Sequence, residues 1–572
     1  EEAPGLLLRG FHISGSPDGP HFDSATVDWM ARNRMNMKPT HPFHFPRVYE
    51  ALASRGLRPY TNVHSYFWLV PESLFDEHPD WFPLVDGERL RSAGHGGVGM
   101  QLTVSAPGLA AHIAERARRW FRRYPEMRTF GVFPNDGRRG WSEDEGDLAI
   151  DGPQRGTGVY SNRVVWLANE VARRIRDEFP DRLIGTAAYS NYREPPTIDI
   201  EPNVIIAFTT MGRNYLRPLT DPDDPANAAV MNQLQGWLQK AEHLELYEYY
   251  SSGSLGIGFL PMPVWRTLTQ ELGPLREMGV DGAHSELVVR DDLLPSLTLT
   301  KYALARAAWD PDLAYDDLLT DYCERAYGPA AAVMKRYWLS YERAVRAGTD
   351  HVGYNTPAID VLQALAGKPV ARLRKLVGEA AELAGEDGTP AHRQAVRDQQ
   401  DLAVRIEVMA TDPAEIPYVG PNLLFNPGLE KDPVNAVGWF SNVQRGTYET
   451  ALDAQTAHSG AHALRITGEE KGWARWMQRI PTEPGKTYLF SVWIKASEEA
   501  GGLIWAHQGK HPTQGALLKY GSTGGEWRRL AIPSLEALSD GITLFLEHRG
   551  EGTVHFDDAY AGRIDLPTPA DK

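Results

Sequence analysis

Three acidic residues stand where a strand-like run gives way to turn chemistry. Asp136 lies in Phe133-Pro134-Asn135-Asp136-Gly137, Glu248 in Tyr247-Glu248-Tyr249-Tyr250, and Glu286 closes His284-Ser285-Glu286. Short apolar runs read as buried strands, and Pro, Asn, Asp and Gly in succession mark a turn. Glycosidic hydrolysis needs such acids in pairs. One carboxyl protonates the leaving oxygen, and the other attacks the anomeric carbon or activates a nucleophile. The candidate catalytic residues are therefore Asp136, Glu248 and Glu286. Glu248 is the favoured acid or nucleophile, Asp136 its partner and Glu286 the third choice. One acid at a strand end is more often a salt-bridged structural group; three on one face shift the balance towards chemistry.

The surrounding residues suit a sugar better than a metal. His12, His41, His44 and His64 follow the first three strand-like runs, but no His-x-x-x-His helix pattern accompanies them. Hydrogen bonds to sugar hydroxyls or to the carboxylates are the better reading for these histidines. Trp68, Trp81 and Trp141 fall in loops on the same side, where stacking on a pyranose face competes with plain packing. Candidate substrate-binding residues are Asn135, His12, His41, His64, Trp68, Trp141, Tyr189, Tyr247, Tyr249 and His284. Asn135 or another acid could orient an acetamido group if the substrate supplies its own nucleophile. Arg138, Arg139 and Arg193 could meet an anionic sugar. No phosphate-cradling glycine loop and no nucleophile elbow is evident, which leaves phosphoryl and hydride chemistry poorly supported.

These residues need a scaffold that brings separate strand ends together. Strand patterns at 6–14, 35–40, 58–66, 128–136, 183–190, 203–209, 244–250 and 280–287 alternate with helical ones at 23–33, 47–55, 108–123, 161–179, 226–242, 263–278 and 294–309. This is the rhythm of an α/β chain forming a (β/α)8 TIM barrel, whose reactive groups sit at the C-terminal ends of the strands. The barrel is expected over residues 1–314, with a long insertion at 67–104. Residues 315–413 read as a helical region packed on the barrel. Residues 420–566 carry short alternating strands with Gly and Pro turns, the pattern of a β-sandwich. The Pro-rich tail after Leu566 reads as disordered.

Composition narrows the partners. A formal net charge of -16 disfavours nucleic acid and anionic membrane surfaces. No run is long and apolar enough to span a membrane. Cys323 is the only cysteine, so no intrachain disulfide and no cysteine-based metal site can form. The chain begins Glu1-Glu2-Ala3-Pro4, without methionine. A secreted or extracytoplasmic enzyme is the expectation.

The segments Asn62-Val63-His64-Ser65-Tyr66, His78-Pro79-Asp80-Trp81-Phe82, Phe133-Pro134-Asn135-Asp136-Gly137, Tyr189-Ser190-Asn191-Tyr192-Arg193-Glu194-Pro195-Pro196 and Tyr247-Glu248-Tyr249-Tyr250 together resemble the barrel family filed as domain of unknown function 4838. The resemblance covers roughly residues 1–345. It implies kinship with glycoside hydrolase family 163, endo-β-N-acetylglucosaminidases that cut within complex N-glycans. Relatives often carry cysteines after the Asn-Asp-Gly turn; here Arg138-Arg139-Gly140-Trp141 replaces them, which alters the adjoining subsite.

The C-terminal segment Asn422-Leu423-Leu424-Phe425-Asn426-Pro427-Gly428-Leu429-Glu430, with Phe556-Asp557-Asp558, resembles a carbohydrate-binding jelly roll. That resemblance implies one structural calcium, with Glu430 and Asp558 as contributors. No cofactor is expected for catalysis. The reading is a hydrolase of β-linked, N-acetylglucosamine-containing glycan or polysaccharide. Its rivals are a non-catalytic glycan-binding protein and a glycosidase directed at uronic acids.

Overall fold

The computed structural model describes residues 3–14, 23–61, 64–91, 100–251, 260–288, 294–354, 356, 358–416, 419–509 and 515–564. The tail after Leu566, and Asn62 and Val63 of the first motif, lie outside these. The chain divides into two compact units, residues 1–252 with 264–318, and residues 253–263 with 319–572.

The first unit is built on eight parallel strands: β1 (Leu8–Ser14), β2 (Met37–Pro39), β3 (Arg58–Tyr60), β4 (Thr129–Gly131), β5 (Leu183–Ala188), β6 (Val204–Thr209), β7 (His243–Ser251) and β8 (Gly282–Val288). Their order is β3-β2-β1-β8-β7-β6-β5-β4, so the first and last of these eight strands are neighbours, as barrel closure requires. An α-helix follows every strand except the fifth. Between β3 and β4 the ring closes without a ladder. Gly131 N donates to Thr61 Oγ1, Phe133 N donates to Ser65 Oγ, and Ser65 N and Tyr66 N both donate to Phe133 O. Gly131 is required there because a Cβ would overlap Thr61 O. This is why the third and fourth strands are three residues each, shorter than the apolar runs suggest.

Strand alternation divides the side chains of β7. Glu245, Tyr247 and Tyr249 point into the lumen, while Leu246, Glu248 and Tyr250 point towards the helix Trp265–Glu277 that follows β7. On β8, His284 and Glu286 share the lumen side; they lie level with Gly10 and His12 of β1.

The second unit joins a helical run to a sandwich. Helices Ala331–Gly348, Ala358–Leu365, Lys368–Asp387 and Pro390–Ala410 precede two five-stranded antiparallel sheets. The helical run, expected to pack on the barrel, groups with the sandwich. Arg529 Nη2 donates to Val408 O at 2.7 Å and Met409 O at 2.8 Å, binding the carbonyl end of the last helix to strand Arg528–Glu536. One sheet runs Phe440–Arg445, Trp473–Pro481, Gly541–Arg549, Gly501–His507, Gly515–Tyr520; the other runs Tyr448–Asp453, Ala463–Gly468, Gly552–Ile564, Thr487–Ala496, Arg528–Glu536. Among the described residues no helix is long and apolar enough to cross a membrane.

Candidate active site

The lumen of the barrel collects polar groups from six strands, β1, β3, β4, β5, β7 and β8. His12 Nδ1 lies 2.9 Å from Tyr247 Oη, which donates to Glu286 Oε1 at 3.0 Å. The Tyr247 hydroxyl thus accepts from the histidine and passes its own proton towards the glutamate. Glu286 is partly accessible, and burial pushes its carboxyl up from the ordinary range. The Tyr247 hydrogen bond and the nearby His284 pull it down, while the charge of Asp136 pushes it further up. A carboxyl raised in this way keeps its proton to higher pH, which suits a proton donor.

Asp136 lies just past β4, near enough for its charge to act on Glu286, with 44% of its side chain exposed. Tyr189 Oη donates to Asp136 Oδ1 at 3.5 Å, and His64 Nε2 lies 3.7 Å from the same oxygen. His64 Nδ1 donates to Pro134 O at 2.6 Å, which fixes the ring against the turn that carries Asp136. Burial lowers the His64 imidazole against both of these partners. The Tyr189 phenol is pushed up to about 12, first by burial and then by the charges of Asp136 and Glu286. One tyrosine therefore feels both acids. The next residue, Ser190, takes a left-handed backbone with φ of 53°, an unfavourable state for a side-chain-bearing residue, as the chain turns away from Tyr189.

Glu248 does not belong to this group. It is wholly buried on the helix side of β7, where Arg213 Nη1 donates to Oε1 at 3.0 Å and Thr210 Oγ1 to Oε2 at 2.6 Å. Arg213 also pairs with Glu271 of the helix Trp265–Glu277, and Tyr250 Oη donates to Glu271 Oε1 at 2.6 Å. Burial and the charge of Glu271 push the Glu248 carboxyl up, while Arg213 holds it down. The expected catalytic role of Glu248 is thus corrected to a structural ion pair: it has the parity opposite to Tyr247, and period-2 geometry sends it out of the lumen.

Several expected sugar contacts are corrected in the same way. The Asn135 amide is consumed, with Oδ1 accepting from Phe67 N at 2.9 Å and Nδ2 donating to Met100 O at 2.7 Å. It ties two loops to the strand end. Trp68 packs edge-on against Trp120 under the Arg116 guanidinium. Trp141 is buried, stacked on Tyr160 with ring centroids 4.5 Å apart. His12, Tyr189, Tyr247, Tyr249 and His284 do gather around the lumen, and His64 joins them through Asp136.

Residues outside the expected set also belong here. Glu245, two positions before Tyr247, lies in the lumen and accepts from Tyr60 Oη. Spacing by two along β7 could have found it. The exposed ring at the barrel mouth is Phe43, 54% accessible, stacked on His41 at 5.2 Å and packed on Phe67 at 5.5 Å. Nothing in the sequence distinguished Phe43 from a core phenylalanine.

The sandwich offers a second surface. Strand register aligns Phe440, Met477, Phe545, Trp505 and Leu517 in one row across its first sheet, with Phe440 and Leu517 exposed. Arg475 lies over the Phe545 ring at 4.4 Å. Glu430 and Asp558 both reach the loop 458–462. Glu430 Oε1 accepts from Ala461 N and His462 N, and Asp558 accepts from Ser459 Oγ and His458 Nδ1. Two carboxylates on one loop are hard oxygen donors of the right class for calcium, although those hydrogen bonds now occupy them. No group of three or more His, Cys, Asp and Glu gathers as a metal site among the described residues.

Residues 4–340 match the family described as Domain of unknown function (DUF4838). No curated protein matches the chain. Among solved structures, TmCBM61 in complex with beta-1,4-galactotriose is similar at 18% identity over 25% of this chain and 99% of that one, with a TM-score of 0.22. The C-terminal family 22 carbohydrate binding module of Clostridium thermocellum Xyn10B is similar at 17% identity over 26% of this chain and 96% of that one, with a TM-score of 0.21.

Proposed function

This chain belongs to the DUF4838 family, and from that premise we propose that it is a glycoside hydrolase acting on β-linked, N-acetylglucosamine-containing glycans. The observation that carries the reading is the pairing of Glu286 and Asp136 at one barrel mouth, each held by a tyrosine hydroxyl and each felt by Tyr189. Glu286 gives its proton to the glycosidic oxygen as the C1–O bond breaks, and the bonding pair leaves with the departing sugar. C1 is captured either by Asp136 or by the substrate's own acetamido oxygen. Water then displaces that group, and its proton returns to Glu286. Because Asn135 is committed to two loops and Tyr247 Oη to His12 and Glu286, the Tyr189 hydroxyl, held only by a 3.5 Å bond to Asp136, is the group left to orient an acetamide.

Phe43, exposed just past β2, supplies one stacking surface, and the apolar row on the sandwich supplies a separate glycan-binding surface. The substrate class puts the protein outside the cytoplasm in this proposal. A calcium ion at Glu430 and Asp558 would brace loop 458–462 and take no part in the reaction. A uronic-acid substrate remains the second reading, because the exposed Arg138 is near enough for its charge to act on Tyr189.

The test is hydrolysis by the unmodified protein of an aryl β-N-acetylglucosaminide and a biantennary N-glycan, alongside uronic-acid oligosaccharides. Turnover of either of the first two supports the proposal. Turnover of the acidic substrates alone favours the second reading. Binding with no turnover of any of them returns the protein to the class of glycan binders.

A further inference from the structure

Beneath Glu286 the lumen holds two polar residues that the proposed reaction leaves unused. His284 precedes Glu286 by two positions on β8, and Glu245 sits on β7; both are wholly buried. Tyr60 Oη donates to Glu245 Oε1, and Glu245 Oε2 stands 3.5 Å from His284 Nδ1. The His284 ring meets Tyr247 edge-on with centroids 4.6 Å apart, and Tyr247 is the residue that donates to Glu286. A continuous set of contacts therefore runs from Tyr60 through Glu245, His284 and Tyr247 to Glu286.

Charge explains why such a set matters. Once Glu286 has given its proton away it is an anion in a confined space that already holds Asp136 and Glu245. Like charges gathered out of water oppose ionisation unless a cation lies among them. Glu245 Oε2 faces His284 Nδ1 at 3.5 Å, so carboxylate and ring are placed to compensate one another's charge out of water. We propose that Glu245 and His284 form a buried charge-compensating pair that sets how readily Glu286 releases its proton. Glu245, His284 and Tyr60 are then positioning residues, since none of them need touch the substrate.

The other ionisable groups around Glu286 do not replace this pair. His12 of β1 reaches Glu286 through Tyr247 Oη, and His64 faces Asp136. Tyr189 and Tyr249 are phenols raised by burial and stay neutral, while Asp136 adds negative charge. His284 is the nearby group whose charge favours the ionised Glu286.

The inference rests on Glu286 being the acid of the proposed hydrolase. It is tested on the full chain with Glu245→Gln, His284→Gln and the double variant. Two midpoints are read: the basic limb of kcat/KM against pH, and the infrared carbonyl band of protonated Glu286, identified by its loss in Glu286→Gln. His284→Gln, which leaves Glu245 without its cation, is expected to move both midpoints upward by about one pH unit, and Glu245→Gln, which removes an anion together with its hold on the cation, by less. The double variant should shift them no further than the larger single change, as members of one unit do. Unmoved midpoints, or shifts that add, overturn the proposal. The infrared titration needs no turnover, so a protein that hydrolyses nothing sinks the hydrolase reading and leaves this measurement intact. If a glutamine variant fails to fold, Tyr60→Phe carries the test with a smaller shift in the same direction.

Discussion

The lumen of the barrel and the layer between β7 and its following helix both hold buried acids from neighbouring strands, and the two regions treat them differently. In the helix layer, Glu248 and Glu271 share Arg213, and every partner is a fixed protein group. In the lumen, Glu286 meets tyrosine and histidine and keeps an accessible edge. The first arrangement sets one guanidinium between two carboxylates and engages all four of their oxygens, leaving none for a ligand. The second raises a carboxyl's hold on its proton and leaves it reachable. The difference teaches that a strand-end acid is judged by which side of its strand it occupies and by whether a cation already claims it.

The largest effect that would test this contrast is on turnover. Glu286→Gln should lower kcat/KM about a thousandfold, most severely for poor leaving groups, because general acid catalysis is what is lost. A variant that keeps parental rates on such substrates would break the contrast on the lumen side.

Arg213→Met addresses the other side. It leaves two carboxylates buried without their cation, and a loss of about 4 kcal/mol of stability is expected in denaturant unfolding. Glu248→Gln should be milder, about 2 kcal/mol, since Arg213 keeps Glu271. Turnover per folded molecule should stay near the parental value in Glu248→Gln. Loss of activity in a well-folded Glu248→Gln would return Glu248 to the reaction.

The smallest effect sharpens the comparison by pH. Folding raises the Glu286 carboxyl above its unfolded value, so the folded protein holds that proton longer. Stability contributed by this group therefore falls as pH climbs from the unfolded value through the folded one, and the loss persists above it. Glu286→Gln should gain stability relative to the parent as pH rises through that window and should show no such gain below it. A thermal shift of equal size at both ends would mean that packing, not ionisation, is responsible.

Much of the barrel could be read from the chain because buried parallel strands announce themselves as apolar runs. The runs ending near Asp136 and Glu286 gave both acids of the candidate site. Glu248 misled because Tyr247-Glu248-Tyr249-Tyr250 is polar-edged on both faces, so apolar alternation does not say which face is the lumen. Trp68 and Trp141 misled for a related reason: a tryptophan in a loop has the same composition whether it stacks on Tyr160 or on a ligand. Phe43 was passed over because only its neighbours decide that it stays exposed.

The sequence by itself determined the order of elements, the strand ends that carry acids, and the change from barrel to sandwich, since all of these depend on local periodicity and turn residues. Only the tertiary structure decided which acids meet, because that depends on which strands become neighbours and in what register. Ring closure makes β8 the neighbour of both β1 and β7, and this sets Glu286 beside His12 and Tyr247. Alternation along β7 turns Glu248 the other way, towards Arg213 just past β6. Local sequence holds no record of either encounter, since each joins residues far apart in the chain.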